Sequence, residues 1–246
     1  MDREQLRHYL EFYQDLGIPS LYRRTPVAPC DAAPQPEPIF EMVKTKIPSM
    51  LPLAPEGDTL LKILEDIGDC RRCRLSERRN KIVFGVGNEH AKLVFVGEGP
   101  GADEDAQGFP FVGRAGQLLT QMIEGTALKE GIPLTRADVY ICNVVKCRPP
   151  ENRTPQPDEM EICGQFLFRQ LSVIQPKAIC ALGSTAAKAI LGTKEGVTRL
   201  RGNWQKWRDI PVMVTYHPSY LLRPYNQEAK RESWDDLKKL LHFVFD

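Results

Sequence analysis

From residue 58 onward, apolar positions recur in two alternating rhythms. "DTLLKILEDIGDC" sets Leu60, Leu61, Leu64 and Ile67 at helical spacing behind Asp58, which reads as the cap. "AKLVFVGEG", "DVYICNVVK", "KAICALG" and "IPVMVTY" are apolar runs of strand length. Between and after them, "RAGQLLTQMIEG", "PQPDEMEICGQFLFRQLSVIQP", "STAAKAILG" (with Ser184 as cap) and "NQEAKRESWDDLKKLLHFVF" carry the helical period. Strands alternating with helices predict an α/β fold, a three-layer αβα sandwich around a mainly parallel four-stranded sheet. Ligands of such sheets bind beyond the carboxyl ends of the strands. "GEGPG", "NVVKCRPP", "ALGS" and "YHPSYLLR" all fall at such ends.

The first 57 residues follow neither rhythm for long. Leu6, Tyr9, Leu10, Tyr13 and Leu16 space out one amphipathic helix ending near Gly17, and a proline-dense stretch follows. The expected organisation is therefore an extension over 1–57 and a folded domain over 58–246. No stretch approaches the roughly 18 uninterrupted apolar residues of a membrane span. "MDREQLRHYLEF" lacks an apolar signal core, so the cytoplasm is the expected compartment. Charge is uneven: residues 1–58 hold six Lys/Arg against nine Asp/Glu, and the remainder 27 against 23. A basic body behind an acidic leader is compatible with a phosphate-bearing partner.

Seven cysteines, odd in number and unevenly spaced, argue against a disulfide framework. Cys70 and Cys73 form a C-x2-C pair, and Cys147 and Cys163 follow much later. Such a quartet suits zinc or an iron–sulfur cluster, and spacing does not choose between them. The glycines of "GEGPG" permit close backbone approach to a ligand, but the lysine of a phosphate-binding P-loop and the G-x-G-x-x-G spacing are both missing. Of Glu98, Asp103, Glu104 and Asp105, at least two are expected to face water. Phe109 and Phe111, on a loop, are core plugs or a face offered to a planar ring. Asn143 lies on a strand, where its carboxamide needs partners and can pair with a base edge. Arg148 and Arg153 suit phosphates or local carboxylates.

Together "CRRC", "GEGPG", "GFPFVGRAG", "NVVKCRPPENRTP", "ALGSTA" and "HPSYLLR" resemble the uracil-DNA glycosylase superfamily, specifically its iron–sulfur family 4, from Cys70 to about Phe245. The resemblance implies a [4Fe–4S] cluster on Cys70, Cys73, Cys147 and Cys163. It also implies a monomeric DNA-repair hydrolase that removes uracil from single- and double-stranded DNA. A noncatalytic iron–sulfur DNA-binding protein on the same fold is the alternative. The group that traps DNA covalently carries an extra histidine before the last strand, and "TRLRGNWQKWRDIPVMV" has none.

The resemblance also implies roles. The target base must leave the duplex to be reached. Phe111 would stack on it, with Phe109 the alternate. Asn143, locked by further hydrogen bonds, would read its edge. His217 would donate to uracil O2 as charge develops, aided by amides of the loop from Gly97 through Glu98 and Gly99 to Gly101. Many relatives orient the water with an aspartate where this chain has Gly99. Glu98 or Glu104, with Asn152 as helper, would take that task. Ser219 and Arg223 would face the DNA backbone, and Leu221 would fill the gap in the base stack.

Overall fold

The computed structural model describes residues 54–246. These belong to a unit that runs Met50–Asp246. The expected amino-terminal helix, most of the proline-rich stretch and Cys30 lie outside the described residues.

The first described helix, α1 (Leu60–Ile67), is capped one residue later than expected. Thr59 Oγ1 accepts from the Lys62 amide at 3.1 Å. The Asp58 carboxylate instead takes Arg169 Nε and Nη2, at 2.8 and 3.0 Å. The apolar face shifts accordingly: Leu60, Ile63 and Ile67 are buried, whereas Leu61 and Leu64 face solvent.

The sheet corrects the expectation of four strands. β1 (Val86–Gly87), β2 (Leu93–Gly97), β3 (Tyr140–Asn143), β4 (Ala178–Leu182), β5 (Trp204–Trp207) and β6 (Ile210–Thr215) assemble in the order β1-β3-β2-β4-β6-β5. The inner four are parallel and the two edges antiparallel. The edges escape a search for apolar runs because β1 has only two residues and "WQKW" alternates half-buried with exposed positions. β5 returns to β6 through a turn at Arg208, whose φ is 52°.

Seven further α-helices follow among the described residues, besides three short 3-10 turns: α2 (Ala102–Gln107), α3 (Arg114–Lys129), α4 (Pro157–Ile174), α5 (Gly183–Leu191), α6 (Val197–Leu200), α7 (Pro218–Leu221) and α8 (Gln227–Phe245). Alternate residues of each inner strand feed opposite cores, as the pleat requires. Val94, Val96, Ile179, Ala181, Val212 and Val214 pack with α1, α4, α5 and α6. Leu93, Phe95, Ile141, Cys180, Leu182 and Met213 pack with α3 and α8. This is the expected αβα sandwich. Ser184 is not the cap of α5; it lies inside the helix, with Leu182 at the boundary. No described helix is long and apolar enough to cross a membrane.

Because β3, β2, β4 and β6 run parallel, their carboxyl ends deliver Asn143, Glu98, the start of α5 and His217 to one edge of the sheet. Chemistry gathers there.

Candidate active site

At that edge lies a cavity of about 590 Å3, and Glu98, Gly99, Glu104, Phe111, Asn143, Asn152 and His217 all line it. Residues that the sequence scatters over 120 positions thus share one space. Ser184, Tyr216 and Tyr220 line it too, and sequence reasoning gave them no role there.

Asn143 forms the floor. It is 2% exposed, and its Oδ1 has no hydrogen-bond partner among the described residues. The expected lock of further hydrogen bonds on the carboxamide is therefore not found. Sterics confine it instead, since a Cβ at Gly97 would collide with Asn143 Oδ1 and lie 2.6 Å from Phe111 Cζ. The backbone of Asn143 is tied more firmly. Its carbonyl accepts from the fully buried Lys146 ammonium at 2.9 Å, and the same Nζ donates to Gln170 Oε1 at 2.6 Å. Gln170 in turn donates to the Phe84 carbonyl and to Tyr140 Oη, both at 3.1 Å. The last strand residue before the loop is thus anchored to α4. Burial lowers the Lys146 pKa, and a buried amine in either form needs such acceptors.

Phe111 supplies one wall. It is buried, and its φ of 54° is costly for an aromatic residue, on the order of 1–3 kcal/mol. Neighbouring bonds hold that conformation. Glu104 Oε1 accepts from the amides of Val112 and Gly113, both at 2.9 Å, and Arg136 Nη2 donates to the Pro110 carbonyl at 2.9 Å. Phe109 is 54% exposed and does not line the cavity, so it is no alternate for Phe111.

The four acids of the first loop divide differently than expected. Only Asp103 is exposed. Asp105 is fully buried and accepts from the Asn80 amide at 2.9 Å and from Asn80 Nδ2 at 2.5 Å. Glu104 also accepts from the Gly101 amide at 3.0 Å, so it clamps "GEGPG" to the Phe111 loop. Its carboxylate is committed to three backbone amides. Glu98 is bound once, by the hydroxyl of Thr185 on α5. A Cβ at Gly99 would lie 2.7 Å from Val145 Cγ2, so a side chain there would require Val145 to shift.

His217 lines the same cavity as Asn143, its ring centroid 5.6 Å from that of Phe111. The Ser219 amide donates to His217 Nδ1 at 3.2 Å, and Ser219 Oγ lies 2.8 Å from the same atom. A backbone N–H only donates, so Nδ1 carries a lone pair and the neutral ring bears its proton on Nε2. Desolvation lowers the pKa to about 4, opposed by the Glu104 charge. The ring is therefore a neutral donor at neutral pH.

The rest of "HPSYLLR" departs from expectation. Pro218 starts α7, and one turn later Leu221 is only 1% exposed. Withdrawing a buried leucine costs about 2 kcal/mol, so Leu221 is a core residue and not a wedge. Tyr220 and Leu222 are the large apolar side chains of this segment that are exposed, each 40%. Arg223 is exposed and lies over the Tyr220 ring, 5.8 Å from its centroid. Asn152, at φ 55°, accepts from Arg148 Nε at 2.9 Å. Arg153 is held by Glu159, which also takes Arg74 beside Cys73.

The four cysteines share one face of the sheet. Cys147 and Cys163 are buried in the apolar cluster of one sheet face, with Cys70 and Cys73 packed against it. The Lys146 amide donates to Cys163 Sγ at 3.2 Å, and Arg79 Nη1 lies 3.6 Å from Cys147 Sγ. Burial pushes the Cys147 thiol up to about 11 and that of Cys163 up to about 12. Among the described residues, no group of three or more His, Cys, Asp or Glu is arranged to hold a metal ion.

The sheet edge, the asparagine floor and the histidine loop define a class of protein that comparison with known sequences identifies. Residues 84–238 match the model of the Uracil DNA glycosylase superfamily. A Type-4 uracil-DNA glycosylase of Thermotoga maritima is 45% identical over 190 residues, 76% of this chain and 96% of the relative. Type-4 enzymes of Archaeoglobus fulgidus and Sulfurisphaera tokodaii are each 42% identical over 191 residues, 74% of this chain and 92% and 84% of theirs. The chain belongs to family 4 of the uracil-DNA glycosylases.

Proposed function

We propose that this glycosylase extrudes uracil from DNA into the cavity and hydrolyses its N-glycosidic bond, leaving an abasic site. The observation that carries the reading is the unpartnered Oδ1 of Asn143 in the same cavity as a neutral His217. Phe111 stacks on the extruded ring. The Asn143 carboxamide accepts from uracil N3–H and donates to O4. Cytosine reverses both demands, and confinement by Gly97 and Phe111 opposes turning the amide over.

The leaving group departs as an anion, and His217 Nε2–H donates to O2 as that charge develops. Amides of the Gly97–Gly101 loop assist, except that of Gly101, which serves Glu104. Glu98 orients water or stabilises the cationic sugar, with Asn152 beside it. Glu104, bound to three amides, holds the two loops in place. Ser219 sets the tautomer of His217, and its exposed position and that of Arg223 suit the DNA backbone. Action as a monomer in the cytoplasm on single- and double-stranded DNA belongs to the same reading.

Cys70, Cys73, Cys147 and Cys163 would hold a [4Fe–4S] cluster. The reading is supported by their common apolar surroundings and by the amide and guanidinium on two of the sulfurs. When bound, the cluster would pin the C-x2-C segment to α4 and to the loop after β3. Purified holoprotein should be brown and lose that colour, together with thermal stability, when Cys163→Ser removes one ligand. A colourless protein of unchanged melting temperature in both forms would refute the cluster.

Uracil release from single-stranded and U·G oligonucleotides tests the main reading. The native protein should release uracil, and Asn143→Ala should lose about 100-fold or more in kcat/KM while still binding DNA. DNA binding by the native protein without uracil release would favour a noncatalytic binder.

A further inference from the structure

We propose that Thr185 is a positioning residue for this reaction, its hydroxyl fixing the Glu98 carboxylate that serves the water and the sugar. The inference rests on the role given to Glu98 above. Two carboxylates at the cavity were candidates, and Glu104 is committed to the amides of Gly101, Val112 and Gly113. Glu98 accepts only the Thr185 hydroxyl, on Oε2, and among the described residues its Oε1 accepts no hydrogen bond. One oxygen is held and the other keeps its lone pairs.

Thr185 suits this task. It is 4% exposed in the first turn of α5, the helix that follows β4, which pairs with the strand that delivers Glu98. Helical threonines commonly return their hydroxyl to a carbonyl of the preceding turn. Here no carbonyl lies behind it in the helix, which starts only two residues earlier, and the hydroxyl goes across to Glu98. Its branched Cβ leaves few rotamers, so the donor is stiff. The same junction touches the other half of the chemistry. Gly183 has a φ of 88°, and a Cβ there would lie 3.0 Å from His217 Cβ. One strand-to-helix turn therefore sets both Glu98 and His217. A glutamate side chain freed from its only anchor rotates about three bonds, and misplacement by about 1 Å costs up to about 100-fold.

The test compares holoenzymes on a uracil-containing single-stranded oligonucleotide. Thr185→Val keeps the shape and removes the hydroxyl. It should lower kcat about 10- to 100-fold and leave KM within about twofold, because the bond is needed after the substrate has bound. Thr185→Ser should restore most of the rate. Glu98→Ala with Thr185→Val should be no slower than Glu98→Ala alone, since the hydroxyl then has nothing to hold. Thr185→Ala gives a second reading if the valine variant melts below the assay temperature. A slow Glu98→Ala beside normal Thr185→Val and Thr185→Ala variants would overturn this inference alone. So would multiplying effects, or a serine variant as slow as valine. Glu98→Ala at the native rate would remove Glu98 from the reaction, and this inference with it, while uracil release by the native enzyme would stand.

Discussion

Replacing His217 by alanine is expected to slow uracil release by about 100- to 1,000-fold, with DNA affinity and melting temperature near those of the native protein. The loss follows from geometry: in the neutral ring Nδ1 takes the Ser219 amide, and Nε2 is left as the donor toward the cavity. The same geometry sets a pH dependence. The folded pKa is about 4 against an ordinary 6.5, so the folded protein keeps the ring neutral where an unfolded chain already binds a proton. The donor therefore persists as pH falls, and kcat/KM should show no inflection near 6.5 from this residue. Protonation as pH approaches 4 places a proton on Nδ1 and breaks the bond from the Ser219 amide that orients the ring, so its contribution should weaken only there. Stability carries the opposite mark, since the unfolded state binds more protons between 6.5 and 4 and is favoured there as pH drops. His217→Ala should lose less stability over that window than the native protein. An acid limb centred near 6.5 that vanishes in His217→Ala would mean that the ring titrates normally and that burial does not control it.

Gly97→Ala is expected to abolish measurable excision, a fall of more than about 100-fold, although it adds one methyl group. Gly97 ends β2, and its missing side chain is the space in which Asn143 and Phe111 meet. A methyl there collides with Asn143 Oδ1 and overlaps the Phe111 ring, so the floor and the stacking wall of the cavity are both displaced. Neither can yield cheaply. The Asn143 backbone is anchored through Lys146, the residue is 2% exposed, and Phe111 sits in a strained conformation held by the Glu104 bonds. Gly125→Ala supplies the control, because in α3 the added methyl meets nothing within 4 Å. It should be neutral or stabilising by about 0.5–1 kcal/mol and leave kcat/KM unchanged. Normal kinetics in Gly97→Ala would show that the cavity is not where the base binds.

Most of this architecture was legible from apolar periodicity. Four buried strands announce themselves as short runs, and the helices between them by their spacing. β1 and β5 escaped because edge strands are held by hydrogen bonds to a neighbour, which leave no apolar pattern. The site was legible as segments at strand ends, but side-chain roles within segments were not. Glu98 and Glu104 look alike in "GEGPGADED", and the fold separates them by giving three amides to one and a hydroxyl to the other. Asp105 was not distinguished from the other acids of the loop and is a buried clamp on Asn80. Thr185 passed unnoticed beside Ser184, since a helical threonine has no distinguishing pattern of its own.

"HPSYLLR" states the division most clearly. The sequence alone placed it after the last parallel strand, and therefore at the ligand edge, because strand order and direction follow from local patterns that each segment carries. Which leucine is buried depended on the phase of a single helical turn begun by Pro218 and on the cores available beneath it. That turn buries Leu221 and leaves Leu222 outside. Phase, hydrogen-bond partners and protonation are relations between distant parts of the chain, and only folding brings those parts within reach of one another.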